Sequence, residues 1–314
     1  MSEVVKEALG QWGLEGAEFT LVAARENTVY KVSTEGGDVA LRLHRKGYRS
    51  DIELVSELAW MAEVVRAGIS TAAPIPALNG EFTLHIDGVQ VDALSWLNGK
   101  PLADILHTLE PDARLQLFFD LGREMAKLHC LSDDWQQPQE FVRAHWNIEG
   151  LLGETPLWDR FWENPELSTQ DRDLFSVFRA KAIEHLETLE EAKDYGLIHA
   201  DLVPNNVLVH EGHISLIDFD DGGFGYRQFD IATALLKHET HEDYPVLKKG
   251  LIAGYHSQRS LDVSRLDLFF ALRAVTYLGW NMSRMNEQNG RARNKRFLET
   301  SRKHVNSYLS ALGN

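Results

Sequence analysis

Apolar and polar residues alternate in five short segments within the first hundred residues of this chain, as they do in half-buried β-strands. The alternation predicts strands at 19–22, 28–33, 39–43, 81–86 and 89–94. Between the third and the fourth segment, apolar residues recur at helical spacing from Asp51 to Ala67, and Gly68 ends the predicted helix. The prolines Pro74 and Pro76 then predict a loop.

The periodicity becomes mostly helical after Trp96, apart from one predicted hairpin. We therefore predict an α+β chain that is divided into two lobes. Residues 1–96 are expected to form a five-stranded antiparallel sheet with its helices, and residues 97–314 a mostly helical lobe. A length of 314 residues is enough for two lobes that each bury a core.

The hairpin is predicted between residues 207 and 217, where two short apolar strands flank a Glu211-Gly212 dipeptide. Glycine accepts the positive φ that a two-residue hairpin turn requires. The hairpin would bring Asn206, before its first strand, beside Asp218, after its second strand. Two oxygen ligands 12 positions apart would thereby converge on one small, hard cation.

The segment before this hairpin contains His199, Asp201 and Asn206 in an H-x-D-L-x-x-x-N arrangement, and Asp218 follows in an Asp-Phe-Asp triplet. Metal-assisted phosphoryl transfer uses such a set, since one carboxylate orients the attacking hydroxyl while an amide and a second carboxylate hold the metal ion. The alternative interpretation is a polar loop with solvated carboxylates.

These motifs resemble those of the aminoglycoside phosphotransferase/choline kinase superfamily, which shares the bilobal protein-kinase fold. Ala200 stands where protein kinases usually carry arginine, and Asp220 stands where they carry glycine. No Ala-Pro-Glu anchor follows Asp218. The resemblance therefore implies a small-molecule kinase, with Asp201 as the catalytic base and Asn206 and Asp218 as ligands of Mg²⁺.

The same resemblance assigns nucleotide-binding roles to residues of the first lobe. Asn27 lies in the loop expected over the nucleotide phosphates, although the glycines of the protein-kinase pattern are missing. Arg42 occupies the position of the phosphate-binding lysine, with Lys31 as the alternative. Glu57 on the following helix is its expected partner, and Glu53, one turn earlier, stays open.

The segment that contains Ser95 and Trp96 resembles the hinge whose backbone binds the nucleotide base. Asp220, Tyr226 and Trp280 are candidates for contact with the acceptor. Trp280 belongs to a polar and aromatic stripe at helical spacing, for which core packing with long arginine side chains is the other interpretation. The stripe comprises Arg273, Tyr277, Trp280, Asn281 and Arg284.

Two further polar residues are expected to have structural roles. Asp230 begins an apolar helix, where a carboxylate caps the helix or anchors a loop. His129 stands alone on a predicted core helix and is interpreted as a structural histidine.

Composition narrows the cellular context and the partners. A formal net charge of −15 argues against nucleic acid or an anionic membrane as the main partner. Cys130 is the single cysteine, so no intramolecular disulfide is possible, and the N-terminal segment does not resemble a signal peptide. We expect a cytoplasmic protein, and the sequence leaves its oligomeric state open.

Together these features predict transfer of the γ-phosphate of ATP or GTP to a hydroxyl group of a small molecule. The acceptor classes of the superfamily include amino acids, amino alcohols and aminoglycosides, and the motifs resemble those of the homoserine-kinase-like branch most. A protein kinase and a nucleotide-binding pseudoenzyme are the alternatives.

Overall fold

The computed structural model describes residues 2–24, 27–189 and 194–313, which form two compact units. Three stretches of chain make up the first unit, namely Met1–Asp104, Asp134–Arg143 and Asn206–Asp220. The predicted division at residue 96, between a nucleotide-binding lobe and a catalytic lobe, stays a prediction.

A six-stranded sheet dominates the described part of the first unit. Its strands are β1 (Glu18–Ala24), β2 (Asn27–Ser33), β3 (Val39–His44), β4 (Pro74–Ile75), β5 (Thr83–Ile86) and β6 (Val89–Ser95). They lie in the order β1-β2-β3-β6-β4, with β5 also paired to β6, and every pairing is antiparallel.

The sheet contains one strand more than the five predicted. Strand β4 lies where a loop was expected, and Pro74 and Ile75 pair with Leu94 and Ala93. Proline lacks the amide hydrogen that an internal strand would need, so it is tolerated in a two-residue strand at the edge of a sheet. A strand this short leaves no periodic signal in the sequence.

The described part of the first unit also contains the helices α1 (Ser2–Gln11) and α2 (Asp51–Arg66). The apolar face of α1 contributes Val5 and Leu9 to a buried cluster that also contains Leu41 of β3 and Val91 of β6. In α2 the buried residues recur at spacings of three and four and include Leu54, Glu57, Leu58, Met61 and Val64. This spacing turns Glu57 into the interior of the unit.

A three-stranded sheet in the same unit contains the predicted hairpin. It consists of β7 (Lys100–Pro101), β10 (Val207–His210) and β11 (His213–Leu216), in the order β11-β10-β7. Glu211 and Gly212 both have positive φ, at 49° and 79°, as a type I′ turn requires. The hairpin prediction is therefore confirmed.

The second unit comprises Ile105–Asp133, Ala144–Asn205 and Asp221–Asn314. Its described part contains a small sheet in the order β8-β12-β9, formed by β8 (His145–Trp146), β9 (Tyr195–Ile198) and β12 (Gly223–Tyr226). The remaining helices of the described chain are α3 (Leu102–Ile105), α4 (Pro111–Asp134), α5 (Ile148–Leu152), α6 (Thr169–Glu187), α7 (Arg227–Leu236), α8 (Tyr244–His256), α9 (Leu266–Trp280) and α10 (Gly290–Leu312).

Helix α9 is buried over almost its whole length and is the central helix of the second unit. Helices α4 and α8 approach each other closely at two glycines. A Cβ atom on Gly122 would lie 1.9 Å from the carbonyl oxygen of Leu251, and one on Gly254 would lie 1.8 Å from that of Phe119. Only glycine allows the two backbones to come this near.

In the part of the chain that the structure describes, no helix is both long and apolar enough to cross a membrane.

Candidate active site

The hairpin of the first unit ends at the two predicted metal ligands. The amide of Ile217 donates to the carbonyl oxygen of Asn206 at 3.0 Å, so Asn206 and Asp218 lie at the same end of the hairpin. Asp218 has φ of +68°, a left-handed conformation that aspartate adopts more readily than most residues. The turn that this conformation produces leads directly into Phe219 and Asp220.

The donors at this end of the hairpin suit a hard divalent cation. An amide oxygen and a carboxylate are oxygen ligands of the kind that Mg²⁺ takes, with water and substrate phosphates completing its octahedron. Among the described residues, no group of three or more His, Cys, Asp or Glu residues could hold a metal by itself. The side-chain oxygens of Asn206 and Asp218 are of the donor type that fits a hard divalent cation.

The residues after Asp218 are buried against α2. The Phe219 ring meets the Trp60 ring edge to face, with 5.0 Å between their centroids. The Asp220 carboxylate accepts from Nε of Arg49 at 3.3 Å. Burial, followed by the charge of Glu57, raises the pKa of Asp220 above its usual range.

Arg42 on β3 is held between two buried carboxylates. Its Nε and Nη2 donate to the two oxygens of Asp92 at 2.7 and 2.8 Å, and its Nη1 donates to Oε1 of Glu57 at 2.8 Å. Arg42 and Asp92 are direct cross-strand partners in β3 and β6. His44 lies on the same side, with Nε2 2.6 Å from the second oxygen of Asp92.

The charges of this cluster shift the pKa values of both acids. Burial alone would raise the pKa of Asp92, but the Arg42 charge and the His44 contact lower it to about 2. The pKa of Glu57 is also lowered, since the charges of Arg42 and Arg143 outweigh the effect of its burial. Both carboxylates are therefore ionised, and they hold Arg42 in one orientation.

The alternatives left open in this region have other partners. Lys31 pairs with Asp38 at 2.7 Å, and its amino group lies 5.1 Å from the ring centroid of Trp96. Glu53 forms a capping box with Ser50 at the start of α2. Arg42 and Glu57 are thus the pair in direct contact.

Two backbone amides of the predicted hinge donate hydrogen bonds to residues that precede strands of the sheet. The amide of Ser95 donates to the carbonyl of Ala73 at 2.8 Å, and the amide of Trp96 donates to that of Asp38 at 3.0 Å. A nucleotide base would therefore have to use other backbone groups of this segment.

Asn27 begins β2, opposite His44 of β3. Its side-chain oxygen is buried and has no hydrogen-bond partner among the described residues. Arg25 and Glu26, also in the predicted phosphate loop, lie outside the described residues.

Asp201 belongs to the second unit, where its carboxylate pairs with a buried arginine. Nη2 of Arg273, on α9, donates to Oδ1 of Asp201 and also to the hydroxyl of Tyr277 at 3.0 Å. The Arg273 guanidinium lies between aromatic rings, 4.2 Å from the centroid of Tyr277 and 4.7 Å from that of Trp158. Arg273 is fully buried, whereas 21% of the Asp201 side chain is exposed.

A second cation lies close to this pair. Much of the Lys237 side chain is exposed, but its amino group lies 4.1 Å from the ring centroid of Tyr277. Burial of the amino group, followed by the charge of Arg273, lowers the pKa of Lys237 to about 8, against a smaller opposing effect of Asp201. Lys237 forms no ion pair with the residues that the structure describes.

Asp230 anchors the loop that carries Asp201. Its two carboxylate oxygens accept from the amides of His199 and Ala200 at 2.8 and 2.7 Å. His129 lies 3.0 Å from the same carboxylate and 2.8 Å from the Tyr255 hydroxyl, and burial lowers its pKa to about 4. The structural roles predicted for Asp230 and His129 are confirmed.

The two aromatic acceptor candidates differ in their surroundings. Tyr226 is buried and packs edge to face on Tyr195, so its position favours a role in the core. Trp280 is half-buried, and the guanidinium groups of Arg284 and Arg293 lie 4.2 and 5.2 Å from its ring centroid.

Comparison with known proteins assigns the family. Residues 18–269, well over half of the chain, match the model of the phosphotransferase enzyme family (APH). The chain belongs to this family. This result confirms the predicted superfamily and the predicted class of enzyme, a small-molecule kinase.

Relatives and solved structures agree with this assignment. The chain is 27% identical over 244 residues to amicoumacin kinase of Bacillus subtilis (strain 168). This alignment covers 74% of this chain and 67% of that protein. It is 26% identical over 268 residues to homoserine kinase of Sinorhizobium medicae (strain WSM419), covering 83% and 76%.

The solved structure of a microcompartment-associated aminopropanol kinase aligns with a TM-score of 0.86 at 27% identity, over 99% of this chain and 98% of that chain. Amicoumacin kinase hAmiN, solved with AMP-PNP, Ca²⁺ and Ami, aligns with a TM-score of 0.79 at 22% identity, over 96% and 93%. The predicted kinase-like α+β fold is confirmed.

Three residues that touch the predicted site residues were not assigned from the sequence. Asp92 and Arg143 contact the Arg42–Glu57 pair, and Arg273 contacts Asp201. Arg273 was recognised only as part of a helical stripe. For Asp92 the sequence contains a signal of a buried charge, because Asp92 is the one acidic residue of a mostly apolar strand. This strand neighbours that of Arg42.

Proposed function

We propose that this enzyme transfers the γ-phosphate of ATP or GTP to a hydroxyl group of a small molecule, and that it uses Mg²⁺. The observation that carries the proposal is the hydrogen bond from Ile217 to Asn206, because it aligns Asn206 and Asp218 at one end of the hairpin. Membership of the phosphotransferase family supports the type of reaction.

Asp201 acts as the base in this proposal. Its carboxylate accepts the proton of the acceptor hydroxyl while the hydroxyl oxygen bonds to the γ-phosphorus. The bond from phosphorus to the β–γ bridging oxygen breaks, and its electron pair leaves with the nucleoside diphosphate. Arg273 supports this role, since it fixes one carboxylate oxygen of Asp201. The Asp201 side chain stays partly exposed to solvent, from which an acceptor can approach.

Asn206 and Asp218 would hold the divalent cation, and Arg42 would bind phosphate oxygens. The cation, when bound, neutralises negative charge on the β- and γ-phosphates. A guanidinium has five N–H donors, and Asp92 and Glu57 receive hydrogen bonds from three of its nitrogens, so Arg42 retains donors for a phosphate. The two carboxylates fix the direction in which those donors point.

The acceptor belongs, in this proposal, to the amino acids, amino alcohols or aminoglycosides. The names of the relatives support this range, as they include an aminopropanol kinase and a homoserine kinase. Within it, Lys237 favours acceptors that carry a carboxylate, because its amino group is a cation with no ion-pair partner among the described residues. Replacing Lys237 with Met should therefore raise KM for carboxylate-bearing acceptors more than for amino alcohols.

A panel of hydroxyl compounds, assayed by release of ADP or GDP, tests the proposed function. We expect Mg²⁺-dependent turnover with at least one member and its loss in Asp218→Asn. Asp87→Asn is the matched control, because Asp87 also has positive φ but lies in the turn between β5 and β6. Turnover by Asp218→Asn with unchanged Mg²⁺ dependence would contradict the metal assignment.

A further inference from the structure

Arg143 is a buried arginine of the first unit to which the proposed reaction assigns no role. Its Nη2 donates to the backbone carbonyl oxygens of Phe219 and Asp220, at 2.8 and 2.6 Å. These are the two carbonyl groups that immediately follow Asp218. One guanidinium nitrogen therefore holds the backbone of the segment that begins with the proposed metal ligand.

The other end of the guanidinium reaches helix α2. Nη1 of Arg143 donates to the backbone carbonyl of Glu53 at 3.0 Å and lies 3.5 Å from Oε2 of Glu57. The other oxygen of Glu57 accepts from Arg42 at 2.8 Å. The fully buried Glu57 carboxylate thus lies between two guanidinium groups. One belongs to Arg42, the proposed phosphate ligand, and the other to Arg143, which contacts the metal-ligand segment.

Two neighbouring contacts hold Arg143 and the segment after Asp218 against helix α2. The amide of Val142 donates to the hydroxyl of Ser56, on α2, at 2.9 Å. On the other side of the segment, Phe219 packs on Trp60, also on α2. Arg143 and Phe219 are therefore both fixed against the helix that carries Glu57.

We propose that Arg143 is a positioning residue that couples the metal ligand Asp218 to the phosphate ligand Arg42, through Glu57. This inference rests on the proposed function, which assigns those two roles. The continuous series of contacts runs from Arg42 to Glu57, to Arg143, and to the carbonyl groups after Asp218. A displacement at either end changes the geometry at the other, since the guanidinium is rigid and planar.

The chemistry of the site explains why an arginine stands here. Three backbone carbonyls and one carboxylate approach the same buried group from different directions. The fork of a guanidinium can donate to the three carbonyls while its charge pairs with the carboxylate. A lysine would keep the charge but concentrate it on one nitrogen, and it could not reach both sides. A methionine would leave the carbonyls without this donor and Glu57 without this neighbouring charge.

The test compares Arg143→Lys and Arg143→Met with the wild type in two measurements. The first is calorimetric binding of ATP with Mg²⁺ and of ATP without metal. The second is turnover, analysed as kcat, the KM of nucleotide, the KM of acceptor, and the Mg²⁺ concentration that gives half-maximal rate. Arg227→Met is the matched control, because Arg227 is a buried arginine of the second unit that also donates to a backbone carbonyl, that of Leu197.

We expect Arg143→Met to raise the half-maximal Mg²⁺ concentration and the Kd of Mg-ATP about 10- to 100-fold, with an unchanged KM of acceptor. Arg143→Lys should give an intermediate shift. Arg227→Met should lower the unfolding temperature without changing the Mg²⁺ dependence. Circular dichroism serves as the control for folding, and only variants with the spectrum of the wild type are compared.

A double-mutant cycle with Glu57→Gln tests the coupling itself. If Arg143 acts through Glu57, the fold-changes of the two single variants in Mg-ATP affinity will not multiply in the double variant. Multiplicative effects, or equal losses of ATP affinity with and without metal, would overturn the proposal. The binding measurements need no acceptor, so a wild type that binds Mg-ATP but phosphorylates nothing would contradict the proposed function and not this inference.

Discussion

Arg273 donates a hydrogen bond to the carboxylate of Asp201, and Arg273 is fully buried while Asp201 is partly exposed. A buried guanidinium needs a counter-charge, and Asp201 supplies one. The aromatic rings of Trp158 and Tyr277 fix the plane of the guanidinium. The orientation of the proposed base is thus determined by a residue 72 positions away in the sequence.

Replacing Arg273 should therefore reduce catalysis more than nucleotide binding. We expect Arg273→Met to lower kcat about 100-fold, because a carboxylate free to rotate is displaced from the acceptor hydroxyl. Arg273→Lys should retain more activity, since it keeps the charge. The measurement is steady-state turnover with a calorimetric Kd for nucleotide. A wild-type kcat in Arg273→Met would show that the contact has no part in catalysis.

The Arg42–Asp92 pair should be important for stability. Asp92→Asn leaves the buried guanidinium with one carboxylate, and we expect it to lower the free energy of unfolding by about 3–5 kcal/mol. The control is Asp38→Asn, which breaks the half-buried pair of Asp38 with Lys31 and should cost about 0–1 kcal/mol. Urea denaturation measures both, and similar losses in the two variants would contradict the importance of burial.

His238 predicts a specific loss of stability in acid. It is buried against the ring of Phe118, and burial followed by the charge of His241 lowers its pKa to about 4. The unfolded chain then binds a proton that the native state excludes. Stability therefore falls as the pH drops through the unfolded pKa of about 6.5 toward 4, by about 2 kcal/mol at pH 5.

The check is urea denaturation of wild type and His238→Leu at pH 7.5 and pH 5. Leucine keeps an apolar contact with Phe118 and removes the titrating group, so the variant should lose about 2 kcal/mol less than the wild type between the two pH values. An equal loss in both proteins would show that His238 does not cause it.

The crossing of α4 and α8 should tolerate no side chain at Gly122. We expect Gly122→Ala to destabilise the protein by several kcal/mol, about 3 or more, because the new Cβ would meet the carbonyl of Leu251 at 1.9 Å. Gly10→Ala is the control. A Cβ on Gly10, in α1, would lie no nearer than 3.6 Å to any atom beyond its chain neighbours and its own helix backbone. That change should stabilise by about 0.5–1 kcal/mol. Thermal unfolding distinguishes the two outcomes.

The local parts of the fold were predictable from the sequence. The turns at Asp87-Gly88 and at Glu211-Gly212 are indicated by their glycines, which accept positive φ, and in both turns the two residues have it. The position of Asn206 beside Asp218 follows from the hairpin alone. These features depend on neighbours within a few residues, so one sequence is sufficient to infer them.

The contacts that orient the site were not predictable in the same way. Asp92 meets Arg42 through the register of β3 and β6, across 50 positions of sequence. Arg143 reaches the carbonyls after Asp218 from a segment with no regular structure of its own. Such contacts depend on the tertiary packing of distant segments, which residue periodicity does not encode.

The most direct test of the central claim, a kinase with Asp201 as its base, is turnover of Asp201→Asn. The assay measures ADP or GDP release with the best acceptor of the panel, together with the Kd of Mg-nucleotide. The claim predicts a kcat reduced by about 100-fold or more with nucleotide affinity retained, because asparagine keeps the shape of the side chain but cannot accept the proton. Full activity in Asp201→Asn would contradict it.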